Sequence, residues 1–320
     1  MLKYIFKRIL YVLPVLLGVA FLIYTLMFLI PGDPVKMILG SNARPEDVAA
    51  VTEELGLNDP FLIRFFNYIK GIVTGFDFGN SFKTGKPITQ EIAARFPYTF
   101  KLSVLALIVS VLIGVTCGII SAVKQYSIFD DLATTFSLLG VSMPLFWLAL
   151  MLILIFSINL KITPVSGSYG PEYWILPVTT IGLTGAANIM RTTRSSMLET
   201  IRQDYIRTAR AKGQTETKVV LRHAFKNAFV PILTVIGMQF GANLGGTVIT
   251  ETMFAIPGIG MYTINSIKSR DQYAVMGAVV FLSFCVCTIN LIVDILYCFI
   301  DPRVKAQYSS RKKRKGDAAK

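Results

Sequence analysis

The stretch LSVLALIVSVLIGVTCGIISAV, Leu102 to Val123, runs for 22 residues without a single Asp, Glu, Lys or Arg. A bilayer hydrocarbon core about 30 Å thick needs roughly 20 apolar residues to be crossed by a helix. The stretch therefore reads as a membrane span. Five others share the property: Ile9 to Gly32, Leu132 to Leu160, Tyr173 to Met190, Asn227 to Thr250 and Gln272 to Val293. Leu132 to Leu160 is long for one span and contains Pro144, which predicts a tilt or kink. Tyr173 to Met190, with Pro177 and two glycines, carries the weakest signal of the six. Composition agrees, because only 16% of the 320 residues are charged and soluble domains average about 25%. The expected fold class is an all-α integral membrane protein with six transmembrane helices.

Lys3, Lys7 and Arg8 precede the first run, but Pro31-Gly32-Asp33-Pro34 is no small-residue cleavage site. The run is read as a retained span rather than a signal peptide. With the N-terminus inside, residues 1–8, 124–131, 191–226 and 294–320 are cytoplasmic. These connectors carry the whole net charge of +13, while 33–101, 161–172 and 251–271 balance to zero. That asymmetry is the positive-inside pattern and puts both termini in the cytoplasm. The basic excess thus reports topology and contact with anionic lipid headgroups, and is poor evidence for nucleic acid.

The organisation follows from this topology. Residues 1–32 are the N-terminal cytoplasmic end and first span, and 33–101 an extracytoplasmic region. Residues 102–305 form a five-helix core with the cytoplasmic loop 191–226, and 306–320 a basic tail containing Arg311-Lys312-Lys313-Arg314-Lys315. The outside region predicts a short helix at Pro45 to Leu55. A second, amphipathic helix is expected through Phe61, Phe65, Phe66, Ile69, Ile72 and Val73, lying on the membrane surface or against the spans. At the outer mouth of the last two spans, Phe254-Ala255-Ile256-Pro257-Gly258-Ile259-Gly260 is apolar and turn-rich. In the cytoplasmic loop, Met197, Leu198, Ile201, Tyr205, Ile206 and Ala209 recur at three- and four-residue steps and describe one helical face. Gly213 stops that helix, and Thr215 with Glu216 reads as the N-terminus of another. The uncharged pair Tyr205-Ile206 amid arginines suggests a covering partner.

Catalytic chemistry is missing. Gly79 to Pro87 resembles a phosphate loop, but five residues separate its glycines and proline follows its lysine. The nucleotide loop needs four residues and then Ser or Thr to hold magnesium. No paired carboxylates lie in a span, and His223, the only histidine, has no nucleophile beside it in sequence. Cys117, Cys285, Cys287 and Cys298 read as small packing hydrophobes. The six runs also lack the buried ionisable groups that ion-coupled carriers use, so an energy source on another subunit is expected. Gly114 with Gly118 and Gly241 with Gly245 permit close helix approach, chiefly for internal packing. Asn188, Gln239 and Asn243 are the polar candidates to line a path.

Tyr205-Ile206-Arg207-Thr208-Ala209-Arg210-Ala211-Lys212-Gly213 resembles the cytoplasmic loop of ABC importer permeases, with Arg207-Thr208-Ala209 in the E-A-A place as in the dipeptide and oligopeptide branch. The wider family's later I-x-L-P is absent, since His223-Ala224-Phe225-Lys226 stands there. Ile30-Pro31-Gly32-Asp33-Pro34-Val35, Thr163-Pro164-Val165-Ser166-Gly167, Pro257-Gly258-Ile259-Gly260 and Asp301-Pro302-Arg303 are also similar to the B-type subunit of that branch. The resemblance implies the type I importer permease fold in a bacterial cell membrane. It also implies a heterodimer with a second permease, two cytoplasmic ATPases that hold ATP and magnesium, and an extracytoplasmic peptide-binding protein. This chain would be a transporter subunit, not an enzyme, with no cofactor or metal of its own. Asp204, Tyr205, Ile206, Arg207, Thr208, Ala209, Arg210, Ala211, Lys212 and Gly213 would form the coupling helix that receives an ATPase. Phe254, Pro257, Gly258 and Gly260 would serve an outer gate and contact the binding protein. Related permeases carry nickel chelates or glutathione. Outside this family, the alternative is a passive channel, for which the polar residues in the spans are few.

Overall fold

The computed structural model describes residues 2–30, 34–40 and 42–300. Pro31-Gly32-Asp33, Asp301-Pro302-Arg303 and the basic tail 306–320 lie outside them. The chain opens with α1 (Leu2–Leu29), α2 (Pro34–Leu39), α3 (Pro45–Glu54), α4 (Phe61–Gly75) and α5 (Ile88–Val123). Next come α6 (Ile128–Ser142) and α7 (Leu145–Leu152), the latter extended by a π-helical stretch Ile153–Asn159. Then follow α8 (Ile175–Ile201), α9 (Asp204–Ala211) and α10 (Glu216–Lys218), which passes through a π-helical stretch Val219–Ala224 into α11 (Phe225–Gly246). The short α12 (Val248–Met253) and α13 (Ile259–Lys268) lead to α14 (Gln272–Ile300). Among the described residues there is no strand, only an isolated bridge between Asn80 and Pro87.

Four helical segments are long and apolar enough to cross a membrane: Phe6–Leu29, Ile88–Val123, Glu216–Gly246 and Gln272–Leu296. The run containing Pro144 is not merely kinked. It is broken into α6 and α7, bent by 108° and together long enough for a fifth span. Proline lacks the N–H that would continue the helix and pushes the residue before it into extended backbone; Met143 accordingly has ψ 128°. The weakest run lies in α8, whose 27 residues reach about 40 Å. Its hydroxyls at Thr179, Thr180 and Thr184 dilute the apolar signal and bond back to carbonyls one turn earlier. By length and apolarity the described residues thus give four or five spans, and α8, the least apolar, brings the bundle approximately to the six helices expected.

The boundary expected at residue 101 falls inside continuous helix, because α5 begins at Ile88. Its 36 residues span about 54 Å, well beyond the bilayer core. The amphipathic α4 buries Phe65 and Tyr68 against α1, where Phe21, Tyr24 and Phe28 meet Phe61 and Phe65 at centroid separations of 5.0–6.0 Å. Its other face leaves Leu62, Phe66 and Val73 exposed, as expected of a helix lying at a lipid interface.

Close packing of α5 on α8 is made by the small residues. A Cβ at Gly114 would lie 2.8 Å from the Ala186 carbonyl, and one at Gly118 would lie 2.6 Å from Thr193 Cβ. Gly241 and Gly245 face Val286 of α14. Both glycine pairs serve internal packing. α14 also runs beside α1, and Arg8 pairs with Asp294 at 2.8 Å, so the two ends of the described chain share one side of the bundle.

Candidate functional site

The periodic face from Met197 to Ala209 belongs to two helices rather than one. α8 stops at Ile201, Gln203 takes extended backbone (φ −74°, ψ 150°), and α9 starts afresh at Asp204. The acidic residue in its first turn suits the helix dipole. Met197, Ile206 and Ala209 turn inward and share an apolar cluster with Ala122 of α5, Val219, Ala224 and Ile232. Ile206 is fully covered by this chain itself, which corrects the expectation that a partner covers the Tyr205-Ile206 pair. The surface left to a partner is Tyr205, 45% exposed, with Asp204, Arg207, Thr208, Arg210, Ala211 and Lys212 around it. Tyr205 lines an open groove of about 1340 Å³ together with Leu221, Phe225 and Pro231.

The turn after α9 is held by two devices. Gly213 sits at φ +73° and its N–H donates to the Arg210 carbonyl at 2.9 Å. A Cβ there would meet nothing within 4 Å, so the requirement is conformational alone, worth about 1–2 kcal/mol. Arg210 then grips Glu216 through two bonds, at 3.1 and 2.6 Å. The side chain of Thr215 makes no capping bond, although α10 begins directly after it. The expected helix start is in place without the expected cap.

At the opposite end, the Phe254–Gly260 turn is built around a side chain that sequence reading passed over. Glu251, fully buried, accepts hydrogen bonds from Thr99 Oγ1 (2.7 Å), Thr247 Oγ1 (3.0 Å) and the Met261 N–H (3.0 Å). Thr99 Oγ1 in turn accepts from the Ile259 N–H at 2.9 Å. One carboxylate thereby ties α5, α12 and the N-terminus of α13, where its charge also meets the favourable end of the helix dipole. Burial pushes the Glu251 carboxyl above the usual range, opposed by these donors. Phe254 is buried, Pro257 is exposed, and Gly258 and Gly260 are buried against the carboxylate. A Cβ on Gly258 would lie 2.3 Å from Glu251 Cδ. Gly258→Val is therefore expected to lower membrane abundance and uptake together, as measured by immunoblot and transport assay. Lost uptake at normal abundance would instead show that the turn acts directly on substrate passage.

The three path candidates separate. Gln239 Nε2 donates to Asn243 Oδ1 at 2.9 Å, with Asn243 buried and its Nδ2 unpartnered. Asn188 is exposed on α8. Two further polar centres were missed because each joins residues far apart in sequence. In the first, Arg194 of α8 donates to both oxygens of buried Asp130 at 2.7 and 2.9 Å, and Ser121 at the end of α5 donates to the same carboxylate. The second explains the phosphate-loop lookalike. Its Ser81 hydroxyl and its Phe82 and Lys83 N–H groups all donate to buried Asp271. The loop does cradle an anion, and the anion is this chain's own carboxylate. The acidic residue at each centre was visible in the sequence, Asp130 and Asp271 both flanking uncharged runs.

Comparison with known proteins fits this architecture. Residues 1–103 match the family described as "Binding-prot-dependent transport system membrane comp, N-term". Residues 114–306 match "Binding-protein-dependent transport system inner membrane component". The chain is 41% identical to the dipeptide transport system permease protein DppB of Alkalihalophilus pseudofirmus, over 95% of this chain and 100% of that one. It is 40% identical to the glutathione transport system permease protein GsiC of Salmonella typhimurium, over 95% and 99% respectively. Among solved structures, the MetNI methionine ABC transporter in inward-facing conformations is similar in fold, with TM-score 0.58 at 15% identity, covering 67% of this chain and 97% of that one. A multi-pass helical bundle matched along nearly its whole length by transport-system permeases, the chain belongs to the inner membrane components of binding-protein-dependent ABC transport systems.

Proposed function

We propose that this permease imports di- or oligopeptides, forming the translocation path with a second permease subunit in a heterodimer. Two ATPase subunits would hold the ATP and magnesium, and an extracytoplasmic binding protein would deliver the peptide. The observation that carries the reading is the presentation of α9. Its inner face is anchored by Ile206 and Ala209, while Tyr205 and its charged neighbours are exposed and Tyr205 lines a groove. Such an element suits contact with a cytoplasmic ATPase, whose closure on ATP would tilt the attached spans and switch access from one side to the other. The Phe254–Gly260 turn would close the path at its outer mouth and meet the binding protein, with exposed Asn188 and half-buried Gln239 offered to the path and buried Asn243 holding Gln239 from behind. The dipeptide permease relative favours peptides, and the glutathione permease relative, at similar identity, makes that tripeptide the second substrate to test. Uptake of a labelled dipeptide competed by peptides of increasing length and by glutathione decides between them. Competition by glutathione alone would overturn the general peptide reading.

Both termini are assigned to the cytoplasm, a reading supported by the charge asymmetry and by the Arg8–Asp294 pair. In a cysteine-free background, Thr84→Cys is expected to react with an impermeant thiol reagent added outside intact cells, and Ser195→Cys only after permeabilisation. The reverse pattern would invert the topology.

A further inference from the structure

A cavity of about 460 Å³ lies in the outer region between α3, α4, the Gly79–Gly85 loop and Tyr273, away from α9 and from the Phe254–Gly260 turn. Its volume is within the range of small-molecule sites. Two of its polar atoms, Arg64 Nε and Tyr68 Oη, are fully buried and have no hydrogen-bond partner. Tyr68 is only 8% exposed, and its ring is held between Tyr24 and Tyr273 at centroid distances of 6.0 and 6.1 Å. Leaving such groups unpaired costs free energy, and more for a charged group than for a neutral one. The Arg64 guanidinium lies 5.9 Å from the Phe28 ring and close enough to Tyr24 and Tyr273 to act on both phenols electrostatically. Two unpartnered donors on residues that line one cavity, one helical turn apart on α4, call for an acceptor, and a carboxylate is the natural match for a guanidinium.

The rim argues for more than a simple anion. Asp59 and Asp77 line the same cavity and are exposed at its edge. Two carboxylates there would repel sulfate or phosphate and attract an ammonium group. Val51 and Leu55 add an apolar wall. We propose that this cavity binds the zwitterion of a free amino acid or short peptide, its carboxylate on Arg64 and Tyr68 and its ammonium at the acidic rim. The choice of ligand rests on the peptide reading above; the site itself is argued from this geometry.

The test is equilibrium dialysis of radiolabelled dialanine against the full chain in lipid nanodiscs, without binding protein. Saturable binding is expected. Tyr68→Phe, which keeps the ring, and Arg64→Gln should each weaken it at least tenfold, as should amidation of the peptide carboxylate. Asp59→Asn or acetylation of the peptide amine should weaken it several-fold. Competition by free alanine as strong as by dialanine would identify an amino-acid site, and weaker competition a peptide site. Absence of saturable binding, binding unchanged in both Arg64 and Tyr68 variants, or displacement by sulfate as effective as by dialanine would each overturn the proposal. Peptide uptake that persists without such binding removes the cavity and leaves import standing. Binding in the cavity with no peptide competition in uptake does the opposite.

Discussion

Ile206→Ala is expected to lower the stability of the permease by about 2–4 kcal/mol, the usual range for emptying a fully buried isoleucine site. Its neighbour should behave differently. Tyr205→Ala removes a side chain that is 45% exposed, so folding and membrane abundance should hold while ATPase copurification falls about tenfold, the equivalent of 1.4 kcal/mol. Thermal unfolding of the purified protein and pull-down of the ATPase separate the two outcomes. Adjacent residues on one short helix would thus fail for unrelated reasons. Normal unfolding of the Ile206 variant would contradict its packing role. Normal copurification and transport in the Tyr205 variant would remove α9 as the ATPase contact.

The Arg194–Asp130 pair gives the second large effect. Asp130 is 3% exposed and both of its oxygens bond to Arg194. Arg194→Met leaves that carboxylate buried with only Ser121, the Tyr126 N–H and Thr134 as donors, and a loss of about 3 kcal/mol or more is expected. Changing both partners to apolar residues should recover much of it, because an uncompensated buried charge costs more than a missing pair. Unfolding temperatures of the two single variants and the double variant form the cycle that checks this. Equal, additive losses would show that the pair carries no coupling.

What the sequence disclosed was periodic or compositional. Uncharged runs located the spans because the bilayer excludes charge over a fixed length, and Pro144 marked the break. The angle of that break was not legible, since it depends on how α7 packs against α8 and α12. Reading Met197 to Ala209 as one face was half right. The burial pattern was real, but the turn at Arg202-Gln203 carries neither glycine nor proline, so nothing local announced it. The carboxylate centres were hidden for a different reason. Glu251 with Thr99, Asp130 with Arg194 and Asp271 with Ser81 are joined by tertiary approach across 64 to 190 residues. A spacing rule cannot find them.

The shared cluster around Ile206 has a mechanical consequence. Ala122 at the end of α5, Met197 near the end of α8 and Ile232 on α11 all rest on the same dry contact. Close-packed interiors have low compressibility, so that joint has little compliance of its own. A force applied at Tyr205 by the proposed ATPase contact would therefore not be absorbed by local yielding of α9 and would be delivered to three spans together. On the proposed function the helix would work as a short rigid lever whose fulcrum is the cluster, and the stroke at the far side of the membrane would be set by span length rather than by the softness of the loop.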